Sequence, residues 1–291
     1  MVTATVLFAL MGVCVKLASA HFGTPVIVLM RGLVGAGVMA VLAFSQGSDL
    51  RTRLPLMHLK RGLAGTFALG LWFYTMAHLP LSTAVTLNYM SSVWMAVFMV
   101  GASVLFGHRR ADMRLVAAAL VGFAGVALVL QPTIERDQWA AGLIGLVSGM
   151  LSALAYLQVG ALGRAGEPSV RVVFYFSVTG TVVGLLACVI WGIERPGAAP
   201  GPLPPRAWLE LLGVGGFATL AQLAMTRAYA RGRALVNANL QYLGIVHAFV
   251  FGILLFDEQL SLMAVLGVAL IVAAGVASTR LQQPLEAASR A

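Results

Sequence analysis

The sequence predicts an all-α polytopic membrane protein with ten transmembrane helices. Three observations lead to this fold class: 60% of the 291 residues are hydrophobic, only 10% are charged, and long apolar runs recur along the whole chain. A soluble domain carries about 25% charged residues, so lipid must be the solvent for most of this chain. A helix that spans a bilayer needs roughly 20 mainly apolar residues, and the runs are long enough to supply them.

Ten segments fit this requirement and are separated by polar breaks. Most of the breaks are short, so neighbouring helices are expected to be antiparallel. The predicted segments cover residues 2–20, 25–45, 62–79, 82–106, 113–131, 139–162, 170–192, 207–229, 234–256 and 260–279.

Lysine and arginine side chains set the predicted orientation. With the N-terminus in the cytoplasm, 14 of the 19 Lys and Arg residues fall in or within three residues of cytoplasmic breaks or in the C-terminal tail, and only 3 fall in outer breaks. Cytoplasmic loops of membrane proteins carry such an excess, so both termini are predicted to be cytoplasmic. The net charge of +9 then belongs to loops that face anionic lipid, and nucleic acid is not an expected partner.

One stretch of the chain, residues 81–128, occurs twice. A shift of 150 residues aligns the two copies without a gap and gives 11 identities over 44 positions. Two similar halves in an apolar chain are typical of secondary transporters. Five helices in each half is an odd number, so the second half enters the membrane from the opposite side. The sequence therefore predicts inverted five-helix repeats at 1–131 and 139–279, with a short cytoplasmic tail at 280–291.

Several short motifs form a recognisable, loose pattern along the chain. They are Arg31 in the second segment, Leu79–Ala84 before and within the fourth, Leu254–Glu258 at the end of the ninth, Gly267, and Ala274–Val276. In this pattern the chain resembles the EamA family of the drug/metabolite transporter superfamily, and within it the amino-acid exporter branch typified by YddG. The resemblance implies ten helices in inverted repeats, a central cavity and export from the cytoplasm.

The chain departs from the family pattern at two places. Ser91 and Ser92 stand in the middle of the fourth segment, where the family often has a proline. Gly107 and His108 end that segment, where the family often has a glutamate, so that only Glu258 in the second half matches.

Polar side chains within the fourth and ninth segments are the candidates for substrate binding. Asn88 and Ser92 are four residues apart and share a helix face, as do Asn239 and Tyr242 at a spacing of three. A polar group in hydrocarbon needs a partner or a cavity, so these faces predict a substrate cavity. Hydrogen bonding between helices is the alternative. The full predicted set is Trp72, Asn88, Tyr89, Ser92, Trp94, Tyr156, Asn239, Tyr242 and His247.

Arg31 is a cation about two turns inside the second segment. Its guanidinium group can hold a substrate carboxylate through two hydrogen bonds. A structural pairing with backbone carbonyls, or with an acidic group such as Glu258, is the alternative. His247 is a candidate proton carrier because histidine titrates near neutral pH.

No catalytic or nucleotide-binding motif occurs in the sequence, and no Asp or Glu lies near the middle of a segment. We therefore expect no enzyme, no cofactor and no metal site, and we expect energy to come from a substrate or ion gradient. Cys14 and Cys188 lie inside apolar segments and are interpreted as packing residues.

The sequence thus predicts an inner-membrane secondary transporter that exports small metabolites by alternating access. The resemblance sharpens the expected substrates to amino acids, both aromatic and other neutral ones. A multidrug, sugar-type or nucleoside-type transporter of the same superfamily is the alternative, followed by a channel, a scaffold or an intramembrane enzyme. The expected partners are a small-molecule substrate and the lipid bilayer, and the choice between monomer and homodimer is open.

Overall fold

A computed structural model describes residues 1–79, 81–106, 112–131, 138–193, 203–256 and 261–288, and all regular secondary structure in these ranges is helical. Each of the ten predicted segments is occupied by one helix or by two consecutive helices. The helices are α1 Val2–Ala18, α2 Thr24–Ser45, α3 Pro55–His78, α4 Leu81–Tyr89, α5 Ser91–Phe106, α6 Met113–Leu130, α7 Trp139–Arg164, α8 Ser169–Trp191, α9 Pro205–Arg231, α10 Ala234–Gln241, α11 Leu243–Phe256 and α12 Leu262–Ala288.

Within the described residues, eight stretches are long and apolar enough to cross a membrane. In two of them, Thr83–Leu105 and Ala234–Leu255, consecutive helices join into one stretch. Helix α1 is a shorter apolar helix, and α3 is outside the set of eight. The chain is therefore a polytopic helical membrane protein, while the count of ten crossings and the side on which the termini lie remain predictions.

Large apolar side chains cover much of the surface. Phe44 is 82% exposed, Val104 78%, Val189 75% and Leu262 75%. Water would make so much exposed apolar area unfavourable, whereas hydrocarbon does not. The exposed surface thus agrees with the membrane location indicated by composition.

Two helix ends differ from the predicted segments. Helix α3 begins at Pro55 instead of 62, and proline is well suited to a first helical position because its missing N–H is not needed there. His58 and Arg61, which the sequence analysis placed in the preceding break, are consequently helical and only 3% exposed each. Helix α12 continues to Ala288, so most of the predicted tail is helical.

The chain forms two compact units, each built from both halves of the sequence. The first unit comprises Thr3–Thr66 and Gln158–Arg231, and the second comprises Phe67–Leu157 and Gly232–Ala291. The first unit thus contains α1, α2, the start of α3, the end of α7, α8 and α9. The second contains the rest of α3 and α7, together with α4, α5, α6, α10, α11 and α12.

In the first unit, α2 packs against α8 and α9 at small residues. A Cβ atom added to Gly32 would lie 2.6 Å from the backbone nitrogen of Thr181, and one added to Gly35 would lie 2.5 Å from Oγ of Ser177. Small residues are what allow helices to approach this closely in a membrane. The approach brings α2 side chains next to the polar residues of α8 and α9.

In the second unit, α6 and α12 cross at two glycines. A Cβ atom on Gly125 would lie 2.7 Å from the carbonyl oxygen of Gly267, and one on Gly267 would lie 2.5 Å from that of Gly125. Nearby, Val126, Tyr242, Ile245 and Ile271 form a buried apolar cluster. Gly125 and Gly267 are therefore the positions at which α6 and α12 approach each other closely.

Candidate functional site

Both predicted cavity segments are interrupted near their middles. One interruption lies at Met90, between α4 and α5, and the other at Tyr242, between α10 and α11. Around Tyr242 the hydrogen bonds tighten to a spacing of three residues, since Ile245 N–H donates to the Tyr242 carbonyl at 3.0 Å. Interrupted transmembrane helices are where many transporters place their substrate.

The two interruptions lie close together in the second unit. The rings of Tyr89 and Tyr242 have centroids 6.2 Å apart. Oγ of Ser92 donates a hydrogen bond of 2.9 Å to the carbonyl of Ala238, so α5 and α10 are joined directly. The structure therefore brings together polar residues that the sequence placed on two separate segments.

Several of these predicted residues make contacts between helices, although Oδ1 of Asn239 has no hydrogen-bond partner among the described residues. Asn239 is 0% exposed, and its Nδ2 donates to Oγ of Ser278 at 2.6 Å and to the carbonyl of Leu115 at 3.3 Å. The hydroxyl of Tyr242, also 0% exposed, donates to the carbonyl of Ala119 at 3.3 Å. These bonds tie α10 to α6 and α12. In this arrangement they are structural, as the alternative interpretation of the sequence allowed, and direct substrate contact by Asn239 or Tyr242 stays a prediction.

The Asn239 contacts lead to a paired test. We expect Asn239→Ala to lower the free energy of unfolding by about 1 kcal/mol, because it removes a buried hydrogen bond between helices. Asn88→Ala, the matched change on α4, removes an amide that makes no hydrogen bond to the described residues, so it should leave stability unchanged. Thermal unfolding in detergent gives the comparison, and equal melting temperatures for the two variants would contradict this role of Asn239.

Other predicted residues differ in how their polar groups are used. Nε1 of Trp72 donates to the carbonyl of Ala84 at 3.1 Å, and Nε2 of Gln241 donates to the hydroxyl of Tyr156 at 3.0 Å. Nε1 of Trp94 and Nδ1 of His247 are buried without a hydrogen-bond partner among the described residues. Trp94 and His247 therefore retain unused polar atoms, which is what a substrate contact requires.

A polar pocket surrounds Arg31 in the first unit. Its volume is about 20 Å³, enough for a water-sized group. Helices α2, α8 and α9 supply its walls, and none of the lining residues is acidic. The lining residues are Val28, Arg31, Gly32, Phe176, Ser177, Gly180, Ala218, Thr219 and Gln222. Glu258, the acidic partner that the sequence suggested for Arg31, lies outside the described residues.

Two polar side chains in this pocket have hydrogen-bonding capacity left over. Gln222 is 5% exposed and Ser177 9%, and neither side chain makes a hydrogen bond to another described residue. The hydroxyl of Thr219 donates to its own helix at the carbonyl of Gly215 and keeps its acceptor sites. A buried amide or hydroxyl without a partner is unfavourable, so the pocket favours a polar occupant.

Arg61 is a buried cation that the sequence analysis missed. Its Cζ lies 4.1 Å from the centroid of the Phe176 ring, and Cζ of Arg31 lies 5.5 Å from the same centroid. Both distances are within the range of cation–π attraction. Two guanidinium groups therefore contact one aromatic ring of α8.

A buried carboxylate lies where α7 turns into α8. Gly166 adopts φ +82°, and Glu167 N–H donates to the carbonyl of Leu162 at 3.0 Å, as in a Schellman ending of α7. This turn places Glu167 immediately before Pro168, the residue that caps α8. A left-handed conformation suits glycine, so Gly166 fixes where the Glu167 side chain begins.

Glu167 accepts three side-chain contacts. Oγ1 of Thr52 donates to Oε1 at 2.9 Å, Nε2 of His58 lies 2.9 Å from Oε2, and Nη1 of Arg171 lies 3.1 Å from Oε2. Arg171 also donates to the backbone carbonyl of Asp49. Burial by itself raises the pKa of Glu167, but the hydrogen bonds from these three residues and the charge of Arg171 outweigh it and hold the pKa below the ordinary value. The network fastens the segment before α3 to the start of α8.

A model of the EamA-like transporter family matches residues 1–131 and 139–279 of the chain. The chain belongs to this family. The pseudopaline exporter CntI of Pseudomonas aeruginosa is 30% identical over 96% of this chain and 94% of its own length. The riboflavin transporter of Vibrio cholerae is 26% identical over 79% and 74%, respectively.

More distant similarity extends to an importer and to a solved structure. The S-adenosylmethionine uptake transporter of Rickettsia bellii is 23% identical over 72% of this chain and 68% of its own. A solved crystal structure superposes with a TM-score of 0.78 at 19% identity, over 98% of this chain and 97% of the other. The chain is thus a membrane protein of a transporter family, and it shares the fold of this solved structure.

Proposed function

We propose that this EamA-family transporter exports amino acids or closely related small zwitterions across the inner membrane by alternating access. The observation that carries the amino-acid assignment is the pocket at Arg31. It combines a fixed cation with the unused polar groups of Ser177 and Gln222 and contains no acidic lining residue. Similarity to the pseudopaline exporter over nearly the full length supports outward transport.

A carboxylate at Arg31 would satisfy the chemistry of the pocket. The guanidinium group presents a planar set of donors that matches the two oxygens of a carboxylate. The amide of Gln222 and the hydroxyl of Ser177 can each donate to the same oxygens. A pocket of about 20 Å³ accommodates the end of a substrate and not a whole amino acid, so the side chain of the substrate would extend beyond it.

The interrupted helices support alternating access. A shift of 150 residues places Met90 opposite Leu240 and Ser92 opposite Tyr242, so the two interruptions differ by only two positions in the proposed repeat. Helices broken at equivalent depths are typical of transporters with inverted repeats. The proposal therefore includes inverted repeats and cytoplasmic termini. It also includes substrate contacts by the unused polar groups of Trp94 and His247.

Export of pseudopaline or a similar compound is a second candidate. It is favoured by the 30% identity to the pseudopaline exporter, which covers 96% of this chain. Counterflow exchange in proteoliposomes tests it, with pseudopaline as the competitor in place of amino acids.

Counterflow in proteoliposomes tests the proposed function. Vesicles loaded with unlabelled amino acid should take up labelled phenylalanine, methionine or threonine several-fold faster than vesicles without protein. Arg31→Gln should slow this exchange about 10-fold, because the carboxylate loses its charged partner. The exposed Arg53→Gln is the matched control and should exchange at the wild-type rate.

Two results would contradict this assignment. Folded wild-type protein that exchanges no amino acid would remove amino acids from the substrate list. Equal exchange by Arg31→Gln and Arg53→Gln would remove the pocket from the binding site. An imposed pH gradient adds a separate readout, because gradient-dependent exchange would make His247 the first residue to replace.

A further inference from the structure

The end of the first unit at which α7 and α9 terminate carries several exposed cations. Arg164 is the last residue of α7, and Arg227 and Arg231 lie in the last two turns of α9. All three residues are exposed, and none of them makes a hydrogen bond or an ion pair with the described residues. Together they form the arginine cluster of α7 and α9, whose charges are available to a partner outside the chain.

Two glycines hold the ends of α7 and α9 close together. A Cβ atom added to Gly163 would overlap the side chain of Ala230 and lie 2.6 Å from its Cα. A Cβ atom added to Gly160 would lie 3.3 Å from both Nη1 of Arg164 and the carbonyl oxygen of Tyr229. The Arg164 guanidinium group therefore lies beside the last turns of α9, which carry the other two arginines of the cluster.

The face of α9 that ends in the arginine cluster is apolar along the rest of the helix. Leu209 is 68% exposed, Leu212 51% and Leu220 50%. Residues three, four, seven or eight positions apart share one side of a helix, so this leucine face is continuous with Arg227 and Arg231. An exposed apolar face of a membrane protein contacts acyl chains, and a cation at the end of that face lies at the level of the lipid headgroups.

Charge complementarity identifies the partner of the cluster. Glu167, three residues beyond α7, contacts Thr52 and His58, so the start of α3 lies at the same end of the first unit. Asp49 is the one exposed acidic residue among those that the structure describes there. Exposed cations are more numerous, since the cluster is joined by Arg51, Arg53 and Lys60. A surface with this excess of positive charge attracts the phosphate groups of anionic phospholipids.

We propose that Arg164, Arg227 and Arg231 form a binding site for the phosphate group of an anionic phospholipid, whose acyl chains lie along the leucine face of α9. Guanidinium groups bind phosphate oxygens through two parallel hydrogen bonds, and three of them from two helices define one position for the headgroup. The bound lipid bridges the ends of α7 and α9 and stabilises their packing. This site goes beyond the proposed transport function, because it binds a component of the membrane and not the transported substrate.

Native mass spectrometry of delipidated protein in a neutral detergent measures this binding without depending on transport. Dioleoylphosphatidylglycerol, which is anionic, is compared with the zwitterionic dioleoylphosphatidylcholine at constant ionic strength. One phosphatidylglycerol molecule should bind the wild type about 10-fold more tightly than phosphatidylcholine does. The double variant Arg227→Gln and Arg231→Gln should bind phosphatidylglycerol about 10-fold more weakly and phosphatidylcholine as the wild type does. Equal binding of the two lipids by the wild type would overturn the proposal.

A charge-matched double variant separates the site from a general attraction to the surface. Arg51→Gln with Arg53→Gln removes the same charge from the same end of the first unit and leaves the arginine cluster intact. This variant should bind phosphatidylglycerol like the wild type, and weakening equal to that of the Arg227 and Arg231 variant would overturn the site. Arg164→Gln changes the other helix and should also weaken binding several-fold; unchanged binding would overturn a site shared by α7 and α9.

Two further measurements test the chemistry of the occupant. Arg227→Lys with Arg231→Lys keeps the charge but loses the planar donors, so binding of phosphatidylglycerol should weaken several-fold, and wild-type binding would overturn the role of the guanidinium groups. Inorganic phosphate at millimolar concentration should leave the bound phosphatidylglycerol in place, because it lacks the acyl chains that contact α9. Displacement of the lipid by inorganic phosphate would overturn a phospholipid as the occupant.

Discussion

Replacement of Gly125 by leucine should prevent the second unit from folding. A single methyl group at this position would already lie 2.7 Å from the carbonyl oxygen of Gly267 and 3.0 Å from Cγ1 of Ile271. The obstructing atoms include backbone of α12, so no side-chain rotation relieves the overlap. Overpacking in a closely packed core costs about 1–3 kcal/mol for small additions and more for large ones.

The expected effect is graded and can be measured by gel filtration of detergent-solubilised protein. Gly125→Ala should reduce the monodisperse fraction and lower the melting temperature, and Gly125→Leu should leave little folded protein. Gly70→Leu is the matched control, because a Cβ atom at Gly70 meets nothing within 4 Å. Normal recovery of Gly125→Leu would show that α6 and α12 do not require this close approach.

The positions of the helices could be predicted from the sequence because each apolar run corresponds to one helix or to two consecutive helices. The ends of helices were predicted less well. Helix α3 starts at Pro55 because its polar first turns are buried by partners far away in the chain, and Glu167 lies 109 residues from His58. In the sequence, a polar break between two apolar runs looks the same whether it forms a loop or a helical turn whose polar side chains are buried.

The polar residues of α5 and α10 show where prediction of the site reached its limit. Spacing grouped Ser92, Asn239 and Tyr242 as polar positions within apolar segments, but it did not predict that Met90 separates Ser92 from Asn88 and that α10 ends before Tyr242. Spacing does not reveal whether a partner such as Ser278 is already present, and that partner decides between a cavity and a helix contact. The contact of Arg61 with Phe176 was missed because Arg61 was counted among the loop charges. Arg61 follows His58 by three residues and directly precedes Gly62. This spacing could have indicated a helix face that packs against another helix.

Loss of the Glu167 carboxylate should also lower the free energy of unfolding strongly. Glu167→Gln keeps the shape of the side chain but leaves Arg171 and His58 without their negative partner. The Glu167 side chain is only 6% exposed and that of Arg171 17%, so water compensates little. Removal of one partner of a buried pair typically costs about 3–5 kcal/mol, and we expect a loss near the lower end because Gln can still accept from Thr52. Asp49→Asn changes an exposed carboxylate of a residue that joins the network only through its backbone carbonyl, so it should cost less than about 0.5 kcal/mol.

The same network predicts how the stability of the protein depends on pH. The pKa of Glu167 is lowered in the folded state, so the unfolded chain binds a proton at this residue more readily than the folded protein does. The stabilisation from Glu167 is therefore complete above the pKa of an unfolded glutamate, about 4.3, and is lost as pH falls through the lower pKa of the folded state. Glu167 should therefore keep the difference in unfolding free energy between wild type and Glu167→Gln constant from about pH 8 to pH 5.5. Below about pH 5.5 this difference should become smaller. Thermal melts of both proteins from about pH 8 down to about pH 4 measure it. A difference that grows on acidification would mean that the proton binds preferentially to the folded state, and that the Glu167 carboxylate is held by its burial and not by Thr52, His58 and Arg171.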